Sequence, residues 1–488
     1  ARIADSRGVE STSPVEPLTS YSVLRISRDL LGGDASLGGT LTGTNRRLGE
    51  GGELDFLRSS AVGGGVNGRL RRGEFLLNGA LLGSLIQGSS DAIDRAQRSS
   101  IRYFQRPGAD HIVYDPARTR LSGYAARLSF GKVGGLWKWT STTSALSPGF
   151  DVNDLGFQRR ADLISQWLHL GYDRYTPRGA FRSWGVSTNS FWRWSFGREP
   201  ERRDLGLDGY LQLLDYSSAS FGVTRSLPAL STDALRGGPA LFVPGRTSAW
   251  FSWSGDPRQP LSLHLFGSGS VQDQSGGGDL GGRASIVIRP SPAAEISVGP
   301  YLSRTTNRAQ FVGERSLRGH PRFIVARLDN PSVGLAARID YTFSPVASLE
   351  WYLAPFVGAA RYTEFKQVRQ FRSLTFSDRF QTLPPAQVSY DDTEEAFMID
   401  ADGDGTTDWL LSNPSFNAKS LDSNLVLRWE YRRGSTLFLV WSHGRWDYVQ
   451  EGSLQLRRDL GRLLEPATEA EVSAKNVLML KMTYWVGR

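Results

Sequence analysis

The feature that most constrains this chain is an alternation of apolar and polar side chains with period two, recurring from Tyr21 to the C-terminus while helical periodicity is nearly absent. In "VGLAARIDYTFSPVASLEWYLAPF" (333–356), Val333, Leu335, Ala337, Ile339, Tyr341 and Phe343 are apolar, with Arg338, Asp340 and Thr342 between them. After Ser-Pro-Val-Ala, Leu349, Trp351 and Leu353 alternate with Ser348, Glu350 and Tyr352. Successive strand side chains point to opposite faces, so this stretch reads as a hairpin with one greasy and one charged face. For Phe343 and Leu349 to share a face, the connection must hold an odd number of unpaired residues, three rather than two. Tyr124, Ala126, Leu128 and Phe130 against Arg127 and Ser129 repeat the pattern, and so do Ala284, Ile286 and Ile288 against Ser285 and Arg289. About nineteen strands are expected on this pattern.

Composition removes several classes. No stretch reaches the roughly 18 to 20 consecutive apolar residues of a transmembrane helix, which leaves open membrane strands of about 10 residues with every second one apolar. There is no cysteine, hence no thiol nucleophile, cysteine-ligated metal or disulfide. The net charge of +8 comes from scattered arginines, without the basic stripe of a nucleic-acid binder. The opening "ARIADSRGVESTSPVEPLTS" has no charged region followed by an apolar one, so the sequence reads as a mature form or a fragment.

The connections alternate in length. Short turns fall at 31–35, 71–73, 255–259, 289–293, 344–347 and 432–435, and long polar segments at 86–118, 146–162, 228–246, 304–331, 362–421 and 443–475. A soluble sandwich has no reason to keep its long loops on every second connection, whereas an outer-membrane barrel has short periplasmic turns and long external loops. The expected fold is therefore all-β, a transmembrane antiparallel up-and-down β-barrel of about 19 or more strands, in a bacterial outer membrane. In hydrocarbon an unpaired backbone group costs several kcal/mol, so such a sheet must close on itself. The apolar face then meets lipid. Arg127, Arg338, Asp340, Glu350, Arg428 and Glu430 are the expected charged residues of a wet lumen, and Tyr341, Phe343, Trp351, Trp429 and Tyr431 the expected interfacial girdle. In "STLFLVW" (435–441) both parities are apolar and the outward face is ambiguous. A helix is expected over 454–465, capped by Ser453 and stopped by Pro466.

The segments "QRSSIRYFQRP" (97–107), "GYAARLSFGK" (123–132), "SPGFDVNDLGFQRRAD" (147–162) and "SNLVLRWEYRRGSTLFLVW" (423–441) resemble a bacterial family known only as a domain of unknown function. Its members usually carry an N-terminal family-9 carbohydrate-binding-like module followed by a C-terminal outer-membrane barrel. The resemblance runs from about Pro14 to Trp485, supplies no catalytic residues and so implies no enzyme, and no part of this sequence reads as the sugar-binding module.

"DADGDGTTD" (400–408) is the sharpest local motif. Asp400, Asp402, Asp404, Thr406 and Asp408 occupy calcium-loop positions 1, 3, 5, 7 and 9, with Gly405 at the turn. Leu411 stands where a bidentate Glu is expected, so any Ca²⁺ binding is weak; an acidic solvated turn is the alternative. "GGGVNG" (63–68) matches a dinucleotide fingerprint only in its spacing, since strand and turn follow it rather than a helix. His111, His169, His264, His320 and His443 share no zinc-ligand spacing. In "NVLMLKMTYWVGR", Leu478, Leu480, Met482, Tyr484 and Trp485 read as the lipid face and terminal aromatics of an assembly signal for the outer-membrane insertion machinery.

The expected organisation is an N-terminal loop at 1–19 and a barrel at 20–488 that lacks at least one strand on its N-terminal side, leaving its first and last strands unpaired. The expected function is a channel or transporter for small polar solutes or saccharides. The alternative is an anchoring barrel with a plugged lumen that displays polysaccharide-binding loops or modules. Expected partners are outer-membrane lipid, lipopolysaccharide, the insertion machinery and polysaccharide, with no nucleic acid; weak Ca²⁺ is the sole expected cofactor.

Overall fold

The computed structural model describes residues 15–49, 52–465 and 473–486 in full, and 2–4 and 10–12 as backbone. Among the described residues, twenty strands form one antiparallel sheet whose order follows the sequence. One of them is the three-residue Phe380–Thr382, which leaves the nineteen long strands that the alternation predicts. The chain packs as two units, 1–174 with 186–207 and 225–245, and 175–185 with 208–224 and 246–488.

The first unit opens with β1 (Leu18–Leu30), β2 (Ala35–Arg47), β3 (Arg58–Arg72), β4 (Phe75–Gly88), β5 (Arg120–Lys132), β6 (Trp137–Leu146) and β7 (Leu163–Arg174). The expected N-terminal loop is partly strand, since β1 begins at Leu18 and Arg2–Ala4 pairs with Glu10–Thr12. Ala80 lies opposite Arg127 and Asn78 opposite Ser129, which puts the even positions of β4 and the odd positions of β5 on one polar face. The other face carries the row Leu70, Leu77, Phe130. β8 (Phe181–Trp194), β9 (Pro200–Leu213) and β10 (Ser218–Ser226) give residues to both units.

The second unit holds β11 (Arg246–Ser254), β12 (Leu261–Gln272), β13 (Gly278–Ser291), β14 (Ala294–Leu317), β15 (His320–Ser344), β16 (Ala347–Val368), β17 (Phe416–Arg432), β18 (Ser435–Val449) and β19 (Ser473–Met482). Two expected loops need correction. Residues 304–331 are strand, because β14 and β15 stay paired, through register shifts between Asn307 and Gln310 and between Phe311 and Gly313, up to a turn at Arg318 and Gly319. The polar composition there reflects strands that run on beyond an apolar belt. Within 362–421, β16 continues to Val368 and β17 starts at Phe416, and between them Val388–Asp391, Ala396–Ile399 and Trp409–Ser412 form a small sheet. It packs through Ile399, Trp409 and Leu411 on Ile324, Ala326 and Phe365.

The opening hairpin closes with two residues, Pro345 and Val346, between the paired Ser344 and Ala347, not with three. The parity argument is satisfied in another way. A register shift between Thr342 and Ser344 leaves Phe343 as an unpaired bulge, so Tyr341 and Leu349 still stand opposite each other. The Arg432 to Ser435 turn uses the same device. The C-terminal helix spans Leu456–Leu464 after Gln455 rather than Ser453, and Pro466 lies outside the described residues.

Candidate functional site

Register fixes which side chains share a face. Leu261, Ile288, Ile296, Ile339, Trp351, Leu425, Trp441 and Leu478 stand opposite one another in turn across eight strands, a continuous apolar row. A second row runs Tyr341, Leu349, Leu427, Leu439, Leu480. Leu439 and Trp441 are on this face, which settles the ambiguous "STLFLVW". On the opposite face Glu295, Asp340 and Glu350 are direct neighbours across β14, β15 and β16. Like charges directly opposite are unfavourable in a sheet unless water or cations compensate. Arg289 pairs with Glu295 at 2.7 Å, and Arg428 with Glu430 at 3.2 Å. Arg338 is on this charged face and Arg127 on the polar face of the first unit, each where the alternation puts it.

Of the expected girdle, Tyr341, Phe343, Trp351 and Trp429 are exposed, while Tyr431 is half-buried and its hydroxyl donates to the Thr483 carbonyl at 3.1 Å. Leu478, Leu480 and Met482 are exposed strand residues. Tyr484 and Trp485 lie beyond the strand, which ends at Met482, and the Trp485 amide donates to Ser435 Oγ at 2.9 Å.

Sequence reasoning missed a buried ionic latch in the first unit. The helix Ser90–Arg98 and the loop 147–162 fold onto the polar face, where Ile93, Ala96 and Phe104 pack on Ala61, Ile86 and Leu121. The Asp151 amide donates to Ser84 Oγ at 2.9 Å. The Asp151 carboxylate takes Arg102 at 2.6 Å and Arg58 at 2.9 Å, and Asp154 takes Arg58 at 2.8 Å and Arg46 at 2.6 Å. Burial pushes the Asp151 carboxyl up, but Arg102 and Arg58 outweigh it and hold the group below the usual carboxylate range. The loop seats on glycine: a Cβ at Gly123 would collide with the Phe150 backbone, and one at Gly149 with the Ser122 carbonyl. Further along, Arg160 bridges Glu201 at 3.1 Å and Asp233 at 2.9 Å, and Asp162 accepts from the Phe196 amide at 3.0 Å. His111 bonds Asp162 at 2.9 Å. The signal in the sequence is "SPGFDVNDLGFQRRAD", two glycines and five charges in a segment that reads as a plain loop.

Of the five expected calcium ligands, Asp400, Asp402 and Asp408 converge, their ligand oxygens within 4.8 Å of one another. Asp404 and Thr406 do not join them, because Asp404 Oδ1 accepts from both the amide and the hydroxyl of Thr406. Asp400 accepts from the Gly403 and Gly405 amides at 2.7 and 2.9 Å, and Arg318 holds Asp402 at 2.7 Å. Leu411 is buried in the core of the small sheet. The hard oxygen set fits a divalent cation, with fewer ligands than Ca²⁺ prefers.

No curated protein matches the chain. Among solved structures, the siderophore receptor PirA from Acinetobacter baumannii is 8% identical, with a TM-score of 0.36 over 88% of this chain and 73% of its own. A mutant of the ferric enterobactin receptor PfeA from Pseudomonas aeruginosa in complex with enterobactin is also 8% identical, with a TM-score of 0.37 over 90% of this chain and 74% of its own. A family model matches residues 98–487, which include the end of the helix, the latch loop and every strand from β5 onward. The chain belongs to that family, described as Domain of unknown function (DUF5916).

Proposed function

We propose that this chain is an outer-membrane β-barrel, a channel or transporter for small polar solutes or saccharides, and not an enzyme. The observation that carries the reading is the pair of registered faces, one apolar across eight strands and one charged. From Trp429 to Leu421 the apolar face of β17 covers nine residues, eight residue steps, interrupted only by Ser423. At ~3.3 Å per residue and a tilt near 40° that is a band ~20 Å tall, close to the ~25 Å of an outer-membrane barrel. The apolar rows then meet lipid and lipopolysaccharide, and Arg338, Asp340, Glu350, Arg428 and Glu430 set the solute preference of a wet path. Weak Ca²⁺ at Asp400, Asp402 and Asp408 belongs to the same reading, as does assembly through the C-terminal strand.

A second reading, the plugged anchoring barrel, is favoured by the latch, which lays residues 89–119 and 147–162 on the polar face. Planar-bilayer conductance of the refolded chain separates the two. Discrete open levels that added solute blocks support transport; a silent, correctly inserted protein supports the plugged anchor.

A further inference from the structure

We propose that the polar face of β12–β15 holds a binding site for a small ring compound that carries a carboxylate, its ring on Phe266 and Tyr301 and its anion on Arg283. The proposal deepens the transport reading by naming a ligand class. An open cavity of about 570 Å³ lies on this face, lined by His264, Phe266, Ser268, Arg283, Ser285 and Tyr301. That volume suits a small ligand. The residues belong together by register: Phe266 stands opposite Arg283, and Arg283 opposite Tyr301. The same row continues through Gly334 to Phe356, Ser420 and Trp446. Four aromatic rings thus share one row on the face that elsewhere carries Arg338, Asp340 and Glu350. Glycine makes room, since a Cβ at Gly334 would collide with the Tyr301 ring.

Charge selects the ligand. Arg246, Arg289 and Arg304 are each bound to a carboxylate, Asp279, Glu295 and Asp329. Arg283 has no such partner among the described residues and stands 5.1 Å over the Phe266 ring. Arg338 over Tyr352 at 5.9 Å repeats the arrangement on the same face. Among the described residues no acid lines the cavity, while serine hydroxyls and His264, held by Ser254 Oγ at 2.7 Å, supply polar contacts. A planar guanidinium beside an aromatic face takes a carboxylate through paired hydrogen bonds while the ring stacks. An acidic sugar and an aromatic acid share this chemistry.

Calorimetry on the refolded full chain with glucuronate, benzoate and glucose tests the site and separates the sources. At least one acid should bind, glucose should not, and Arg283→Gln should weaken binding tenfold or more while Arg283→Lys retains part of it. Phe266→Ala should weaken it independently. Absence of acid binding in a protein that is folded by circular dichroism, equal binding of glucose, or affinity unchanged in Arg283→Gln would each overturn the proposal. Conductance is read separately, so a silent protein that binds acid through Arg283 sinks the channel reading and leaves the site standing.

Discussion

Removing the Asp151 carboxylate should open the latch. Arg102 and Asp151 are both fully buried at the side chain, and without Asp151 the Arg102 guanidinium keeps, among the described residues, the carbonyls of Ala96 and Phe150. Breaking a buried pair by deleting one partner costs about 3–5 kcal/mol, because the remaining charge stays desolvated. At about 1.4 kcal/mol per decade, Asp151→Ala should shift the equilibrium between seated and released loop by roughly two to three and a half decades. Arg58 loses one acid and keeps Asp154, so it limits the collapse to the loop. The assay is single-channel recording with limited proteolysis of liposome-inserted protein. The variant should show more or larger open events and new cleavage within 89–119 or 147–162. Unchanged currents and an unchanged digest in a correctly inserted variant would refute the latch.

The latch should also be acid-sensitive. Asp151 is depressed in the folded chain, so its contribution is complete above the ordinary carboxylate value near 3.9 and is lost as pH falls through its lower folded value. Conductance should therefore hold steady from about pH 7 to 5 and rise below about pH 4, and Asp151→Ala should remove this step. Calcium at about 10⁻⁴–10⁻³ M should protect residues 369–415 from protease. Asp400→Asn with Asp402→Ala should abolish that protection, and an unprotected wild type would remove the calcium proposal. Deleting Tyr484 to Arg488 removes the Trp485 bond to Ser435 and the terminal aromatics. Outer-membrane fractionation should then find little inserted protein.

Much of the fold was legible because a strand writes its two faces into alternate residues. The apolar partners Ile339 and Trp351, and the charged partners Asp340 and Glu350, are adjacent in register as the alternation requires. The strand extensions through 304–331 were not legible, since a strand that leaves the apolar belt keeps its backbone pairing and loses its hydrophobic signature. The turn at 344–347 was half legible: parity demanded an odd count, and a bulge at Phe343 supplied it. The site was the least legible part. Asp151, Arg58 and Arg102 are far apart in the chain and meet only because the 147–162 loop folds onto β4 and β5. Spacing alone also could not tell that Asp404 turns to Thr406 instead of joining Asp400, Asp402 and Asp408.

The central claim is that the apolar rows face lipid and the charged rows face water. Spin labels at Leu335, Tyr341, Trp351 and Leu353, and at Arg338 and Glu350, introduced one at a time into this cysteine-free chain, test it directly in liposomes. The account predicts high accessibility to oxygen at the first four positions and to a water-soluble nickel chelate at the last two. Equal accessibility to both reagents on the two parities would contradict it.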